Sequence, residues 1–334
     1  MLSSTSSRAR GTAFAVTTAG TLALAALFSV VNSAPAHAAP TKTTVVSTAS
    51  ELDAALASAT AGQTIQLRDG LYKGKFELAA SGKSGSPITL TGSRNAILTT
   101  GSNSSGYALH GTGDFLVLKG FTVSSAQKGI VLDTSSNSVI TGVDVGSIGM
   151  EGIHVRTDSK NVTVRDSVVH DTGLVKPGAG EGIYVGTANT NWGDVMGSSS
   201  KADKSDNVVV QNNTLRDTAA EGIDVKEGTT GGKLLNNTFD NAGHSGANNA
   251  DSWVDVKGNN YVVSGNTGTS ARLDAFQVHD VYAGWGRNNT FTGNNITGDV
   301  PGHEVQIAGS SSLGNTVTCK DSNADEGLTN VSCK

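Results

Sequence analysis

Short apolar pairs recur along this chain, each split by one residue and preceded by a polar one. They fall in KGIVLD from Lys128, EGIHVR from Glu151, EGIYVG from Glu181, EGIDVK from Glu221, SWVDVK from Ser252, DAFQVH from Asp274 and HEVQIA from His303, at intervals of 22 to 40 residues. A period of two puts alternate side chains on opposite faces of a strand. Between these segments lie other β-prone runs, among them NVTVRDSVVHD, NVVVQNNTLRD, GKLLNNTFDN and NTFTGNNITGD, bounded by Gly, Asn and Asp turn residues. Two or three short strands per unit at this period predict a solenoid; propeller blades are longer and carry Trp or Asp signatures absent here. The expected fold is all-β, a right-handed parallel β-helix, each coil burying its apolar face on its neighbours. Rungs roughly 4.8 Å apart would let Asn and Ser form ladders at the turns, and the Asn-x-Thr/Ser triplets are read as such ladders rather than as glycosylation sites.

The apolar pairs Ile153/Val155, Ile183/Val185, Ile223/Val225, Val254/Val256, Phe276/Val278 and Val305/Ile307 are expected to fill the core. The opposite face then reads His154/Arg156, Tyr184/Gly186, Asp224/Lys226, Asp255/Lys257, Gln277/His279 and Gln306/Ala308, and is expected to face water. Asp255 falls one rung from Asp224, and Lys257 one rung from Lys226. Glu151, Glu181, Glu221, Asp251 and Asp274 make a second column at the strand entrances.

The ends read differently. Arg8 and Arg10, the apolar run AFAVTTAGTLALAALFSVV and the small-residue site Ala36-His37-Ala38 read as a secretion signal over residues 1–38, cut after Ala38; a retained membrane anchor is the alternative. The remaining 39–334 is expected to be one domain, its N-terminal cap over 43–75 beginning with a short amphipathic helix in TASELDAALASATAG, and its C-terminal cap over 316–334. Composition agrees with this picture: 42 glycines and 5% aromatics favour turns and short strands over helices. Loss of the leader moves the formal charge from −5 to −7, which leaves no basic footprint for nucleic acid. In an exported chain Cys319 and Cys333 are expected to pair as a disulfide, free thiols or a metal pair being the alternative. No membrane contact is expected after cleavage, and the chain is expected to act as a monomer. The longest interval holds an insertion, TANTNWGDVMGSSSKADKSDN, of a size that commonly lines a site.

Alternating charges on strands often form a solvated lattice. Here Glu181, Glu221, Asp224, Asp251 and Asp255 would crowd several carboxylates within about two rungs, and such charges repel unless a cation neutralises them. Calcium is the expected cation in an exported, oxygen-rich site. An acidic cradle beside lysines suits β-elimination on a uronic-acid polysaccharide: a base removes the C5 proton alpha to the carboxylate, and a metal stabilises the developing charge. Lys226, Lys257 and His279 are the candidate catalytic residues, a lysine serving as base where neighbouring cations lower its pKa. Arg156 and Arg272 are candidates to hold substrate carboxylates. Tyr184, Trp192 and Trp285 are candidates to stack on sugars, His244 lies in a loop expected to overhang the same face, and Trp253 is read as packing.

These segments resemble the pectin-lyase-like β-helix superfamily. Within it, EGIDVKEGTTGGKLLNNTF is similar to the stretch of alginate lyases and chondroitinase B-like lyases in which a calcium-binding glutamate precedes the catalytic lysine by five residues. The resemblance implies that Glu221 binds calcium and that Lys226 is the base. It also covers the cap ELDAALASATAGQTIQLRDGLY. The family has a further glutamate where this chain has Ala219, and an arginine on the next rung where this chain has Val256 and Lys257. The GHG and RIK-like motifs of polygalacturonase-type hydrolases are not found in a matching context. A hydrolase, a uronan epimerase and a non-catalytic glycan-binding or cell-surface β-helix remain alternatives.

Overall fold

The computed structural model describes residues 42–309 and 312–334; the expected secretion signal lies outside the described residues. Three parallel sheets, of eleven, nine and nine strands, form the right-handed β-solenoid. One rung takes a strand from each, as in Thr163–Arg165, Val168–Thr172 and Ile183–Val185. Strands this short satisfy their backbone groups only by pairing with the rungs on either side, so the stack is cooperative from end to end.

One nine-stranded sheet carries the candidate residues. Its strands are β1 (Phe76–Leu78), β2 (Tyr107–Gly111), β3 (Lys128–Asp133), β4 (Ile153–Arg156), β5 (Ile183–Val185), β6 (Ile223–Val225), β7 (Val254–Val256), β8 (Phe276–Val278) and β9 (Val305–Ile307). Their register aligns His154, Tyr184, Asp224, Asp255, Gln277 and Gln306 in one outward column. The expected register of the repeats is therefore the observed one.

The inward residues of β4 to β9 are all buried. Trp253 belongs to this interior, stacked on Phe239 at 5.9 Å and edge-on to Phe276. Each fully buried Val, Ile or Phe contributes roughly 1.5–3 kcal/mol of transfer free energy, and the rungs share one continuous core.

At the first end, helix α1 (Ala49–Ala57) covers the open coil with Leu52, Ala55 and Leu56. A capping box between Thr48 and Glu51 starts it. At the other end Cys319 and Cys333 are disulfide-bonded, and Lys320 is paired with the buried Glu304.

Asparagines do stack at one turn. The buried Asn213, Asn237, Asn266 and Asn294 run across four rungs. Each of the first three donates its backbone N–H and its amide to the next one's Oδ1, at 2.9–3.0 Å. The middle residues of two NNT triplets are thus ladder steps. Asn237→Ala would strand the Asn213 donors and the Val210 carbonyl. We expect it to cost about 2–4 kcal/mol in chemical denaturation, whereas Asn236→Gly, at the exposed neighbour with φ of 53°, stays within about 0.5 kcal/mol.

Candidate active site

The outward face of β5 to β8 is not wet. Asp224 is 1%, Asp255 3% and Lys226 8% exposed, which corrects the expectation of a solvated face. Two walls account for this. Segments leaving the strand ends form one: the insertion after β5 folds into a short helix, α2 (Trp192–Met196), and its Trp192 meets Tyr282, which follows β8, edge-on at 5.2 Å. Segments entering the strands form the other: the turn at Asn248 and Asn249, both left-handed with φ of 61° and 59°, overhangs the entrance to β7. Between the walls lies a cavity of about 230 Å³ lined by Glu181, Glu221, Asp224, Lys226, Asn248, Asn249, Asp255, Lys257, His279 and Val281. A neighbouring cavity of about 280 Å³ shares Glu181, Lys226 and Asn248 and continues past Tyr184 to Arg156 and Lys128.

Inside, the columns interlock. Lys226 Nζ lies 2.5 Å from Asp224 Oδ2. Lys257 Nζ bridges Asp224 Oδ1 at 3.0 Å and Asp255 Oδ2 at 2.5 Å. His279 Nδ1 lies 2.9 Å from Asp255. Glu181, Glu221 and Asp224 each present an oxygen within 4.8 Å of the others. Gly186, at φ +84°, occupies the lysine column on β5's rung; a Cβ there would meet Thr229 at 2.6 Å.

Other candidates fall elsewhere. Asp251 receives the Gln277 amide at 2.8 Å and stands outside the acidic triad. Arg156 is committed to Asp133, at 2.7 and 3.1 Å, and donates to the Tyr107 hydroxyl, so its fork is not free for a substrate carboxylate. Trp192 is 2% exposed and donates its indole N–H to the Thr187 carbonyl; it holds up the wall rather than offering a sugar platform. Arg272 lies against Gly246 and donates to the His244 carbonyl. Neither it, His244 nor Trp285 lines the two cavities. Tyr184 lines the second, with Lys226 Nζ 5.1 Å from its ring centroid. Lys128, Lys176, Asn248, Asn249 and Val281 line the groove and escaped the sequence reading. Only Lys128 carried a signal there, since it opens the first repeated segment.

Residues 95–296 match the family described as "Right handed beta helix region". The chain belongs to that right-handed β-helix family. Among solved structures it is similar to an alginate lyase from Paenibacillus sp. str. FPU-7, with 37% identity over 86% of this chain and 98% of that one, at a TM-score of 0.80. It shares the fold alone with pectate lyase Pel9A (16% identity, 78% and 73% coverage, TM-score 0.52). The same holds for PfbA, a surface adhesin of Streptococcus pneumoniae (16%, 81% and 73%, 0.54). No curated protein sequence matches it. Among the described residues no helix is long and apolar enough to cross a membrane. The molecule is a polysaccharide-lyase-like β-helix.

In this β-helix the acids of the groove outnumber its lysines. Four carboxylates, Glu181, Glu221, Asp224 and Asp255, face the two ammonium groups of Lys226 and Lys257. The lysines take Asp224 and Asp255, and Glu181 Oε2 is left buried without a partner. Burial, then Asp224 and Glu151, push Glu181 up to about 8. Burial and Asp224 likewise lift Glu221 well above the carboxylate range. Burial alone would strip the lysines of their protons. Asp224 and Glu181 outweigh it at Lys226, and Asp224 and Asp255 at Lys257, so both are held above the ordinary lysine value. Lys226 is therefore not lowered by neighbouring cations, as the sequence reading required; its nearest neighbours are acids. Burial works to raise Asp255, but Lys257 and His279 hold it well below the usual range. Its hydrogen bond to His279 raises the imidazole in turn.

The acidic triad fits a hard divalent cation: its donors are all oxygens, one of them is orphaned, and two of its carboxyls hold protons that a cation can displace. Calcium at 100 times its dissociation constant is expected to add about 2.7 kcal/mol of stability, read as a rise in Tm. Glu181→Gln should abolish the rise. Because Glu181 holds its proton up to about 8, the cation must displace it, and the rise should be larger at pH 8 than at pH 5; an equal shift in Glu181→Gln would remove the triad as the site.

Proposed function

We propose that this chain is a secreted polysaccharide lyase that cleaves a uronic-acid polymer by β-elimination, with alginate the first substrate to test. The observation that carries the reading is the buried groove in which an acidic triad abuts two lysines, in a chain 37% identical to an alginate lyase.

Glu181, Glu221 and Asp224 would hold calcium, with Asp255 adjoining. Bound there, the ion would neutralise the triad and the substrate carboxylate and so stabilise the enolate-like charge that develops when C5 loses its proton. Lys226 is the base. As an ammonium it cannot accept a proton, and its affinity for the one it carries depends on the acids beside it, Asp224 first and Glu181 after it. Once their charge is neutralised, the same burial favours the free amine. Lys257 fixes Asp224 and Asp255 and offers its remaining charge to the substrate. His279 is about one-third exposed, with Nδ1 anchored on Asp255 and Nε2 left for the cavity; it delivers a proton to the O4 leaving group as the C4–O bond breaks and the C4–C5 double bond forms. The Tyr184 phenol is a second proton carrier beside Lys226.

The geometry speaks against hydrolysis by the Asp224–Asp255 pair. Asp224 and Asp255 share a rung boundary, but both are ion-paired with lysine, and Asp255 is held ionised, so it cannot serve as the general acid a glycosidase needs.

Incubation of the mature protein with alginate should raise the ultraviolet absorbance of the unsaturated uronate, and chelation should suppress it. Lys226→Ala should lower the rate by about 10²–10⁴-fold. A flat trace on alginate, pectate, glucuronan and chondroitin alike would refute the lyase reading.

A further inference from the structure

We propose a second carbohydrate-binding site on the same face, built on Tyr107 at the N-terminal end of the sheet, which holds a distant stretch of the same polymer. A cavity of about 250 Å³ lies there, lined by Lys75, Phe76, Glu77, Gly106, Tyr107 and His110. Tyr107 is half-buried and continues the entrance column: the register sets it beside Lys128 and sets His110 beside Val131.

The ring is fixed from several sides. Its hydroxyl accepts from Arg156 Nη2 at 3.2 Å. The Arg156 guanidinium and the Lys128 ammonium lie over it at 5.8 and 5.9 Å from the centroid. His110 stands edge-on at 5.4 Å, and Asp133 ties His110 to Arg156 at 2.9 and 2.7 Å. Side chains from three successive strands thus hold one outward-facing aromatic ring in place. The core does not need this, since Tyr107 points away from it. Phe76, which opens strand β1, and the exposed Lys75 just before it line the cavity beside the ring, while Arg156 and Lys128 reach the ring from the strands that follow. The cavity therefore presents an aromatic surface beside the Lys75 ammonium, with His110 and Lys128 held by Asp133 and Glu151. A uronate ring has the matching pair of features, an apolar C–H face and a carboxylate.

The two sites belong to one track. Lys128 and Arg156, which grip Tyr107, also line the cavity that contains Glu181 and Lys226. Tyr107 stands on β2 and the acid–lysine centre on β6, four strand spacings or roughly 19 Å away. A trisaccharide bound at the centre falls short of the ring; a polymer spans both.

This inference rests on the uronan reading, and the experiment keeps the two apart. Kinetics on alginate polymer and on its trisaccharide are compared for Tyr107→Ala, Tyr107→Phe and Lys75→Gln, with calorimetric titration of the polymer into each variant in a Lys226→Ala background. Tyr107→Ala should raise KM for the polymer and weaken polymer binding about tenfold, with kcat held and the trisaccharide unaffected. Tyr107→Phe should recover most of the loss, and Lys75→Gln should show a smaller loss confined to the polymer. An equal effect on polymer and trisaccharide, or no effect on polymer KM and binding, overturns the proposal. If the wild type turns over no uronan, the lyase reading fails and the Tyr107 site is judged by polymer binding alone, unchanged or absent binding counting against it. If Tyr107→Ala melts early, the exposed Lys75→Gln decides: no polymer-specific loss refutes the site.

Discussion

Parallel pairing between rungs is the constraint on which everything else here depends. Strands of two to six residues are too short to be stable alone. They persist because each lends its backbone groups to the strands on either side at a fixed spacing. That same spacing turns a repeat in sequence into a column in space. Glu181 and Glu221 are 40 residues apart in the chain, and Asp224 and Asp255 are 31 apart, yet the pairing of β5, β6 and β7 makes each pair neighbours. A one-residue slip of any strand would turn its Asp and Lys into the core and its Val and Ile to the outside.

Charge columns alone do not make a site, and a second sheet of the same molecule shows why. There, His170, Arg216 and Asp240 are register partners. His170 is held by Asp144 and Asp171, and Arg94 reaches Asp144. Those side chains keep substantial exposure, with Arg94 at 43%, Arg216 at 42% and Asp171 at 45%. In water, such pairs are worth little and do little. Asp224 and Asp255 have the same chemistry with side chains at 2% and 5%. Removing the solvent is what makes the Glu181 and Glu221 protons hard to lose, so that these acids hold protons a cation can displace.

The rungs, their register, the inward positions, the capping helix and the disulfide were legible in the sequence because each follows from local alternation or from chain ends. So was the neighbourhood of Glu181, Glu221, Asp224, Lys226, Asp255 and Lys257, since register alone brings them together. What could not be read was how the loops cover that face. Trp192 looked like a platform until its burial against Tyr282 showed it to be a wall post. Arg156 looked free because Asp133 and Tyr107 lie one and two rungs earlier, on segments where the repeat is weakest. Asp251 sits in the entrance column by spacing, but Gln277 from the next rung takes it out of the cluster. The sign of the Lys226 shift was misjudged for the same reason: it depends on how dry the neighbouring carboxylates are, which only the folded loops determine.

Such a groove works against stability. Replacing buried ion pairs with well-packed apolar residues is often neutral or stabilising, and the interior of this solenoid shows that Val and Ile fill equivalent positions readily. The chain instead keeps four acids and two lysines under a roof that includes two consecutive left-handed asparagines, a conformation Asn tolerates. The protonated acids and the polar asparagines line the same cavity. A ligand that brings positive charge to the triad displaces its protons, and one that brings hydrogen-bonding groups meets the asparagines. A divalent cation together with a polyhydroxylated, carboxylate-bearing chain meets those two requirements; a neutral glycan meets only the second.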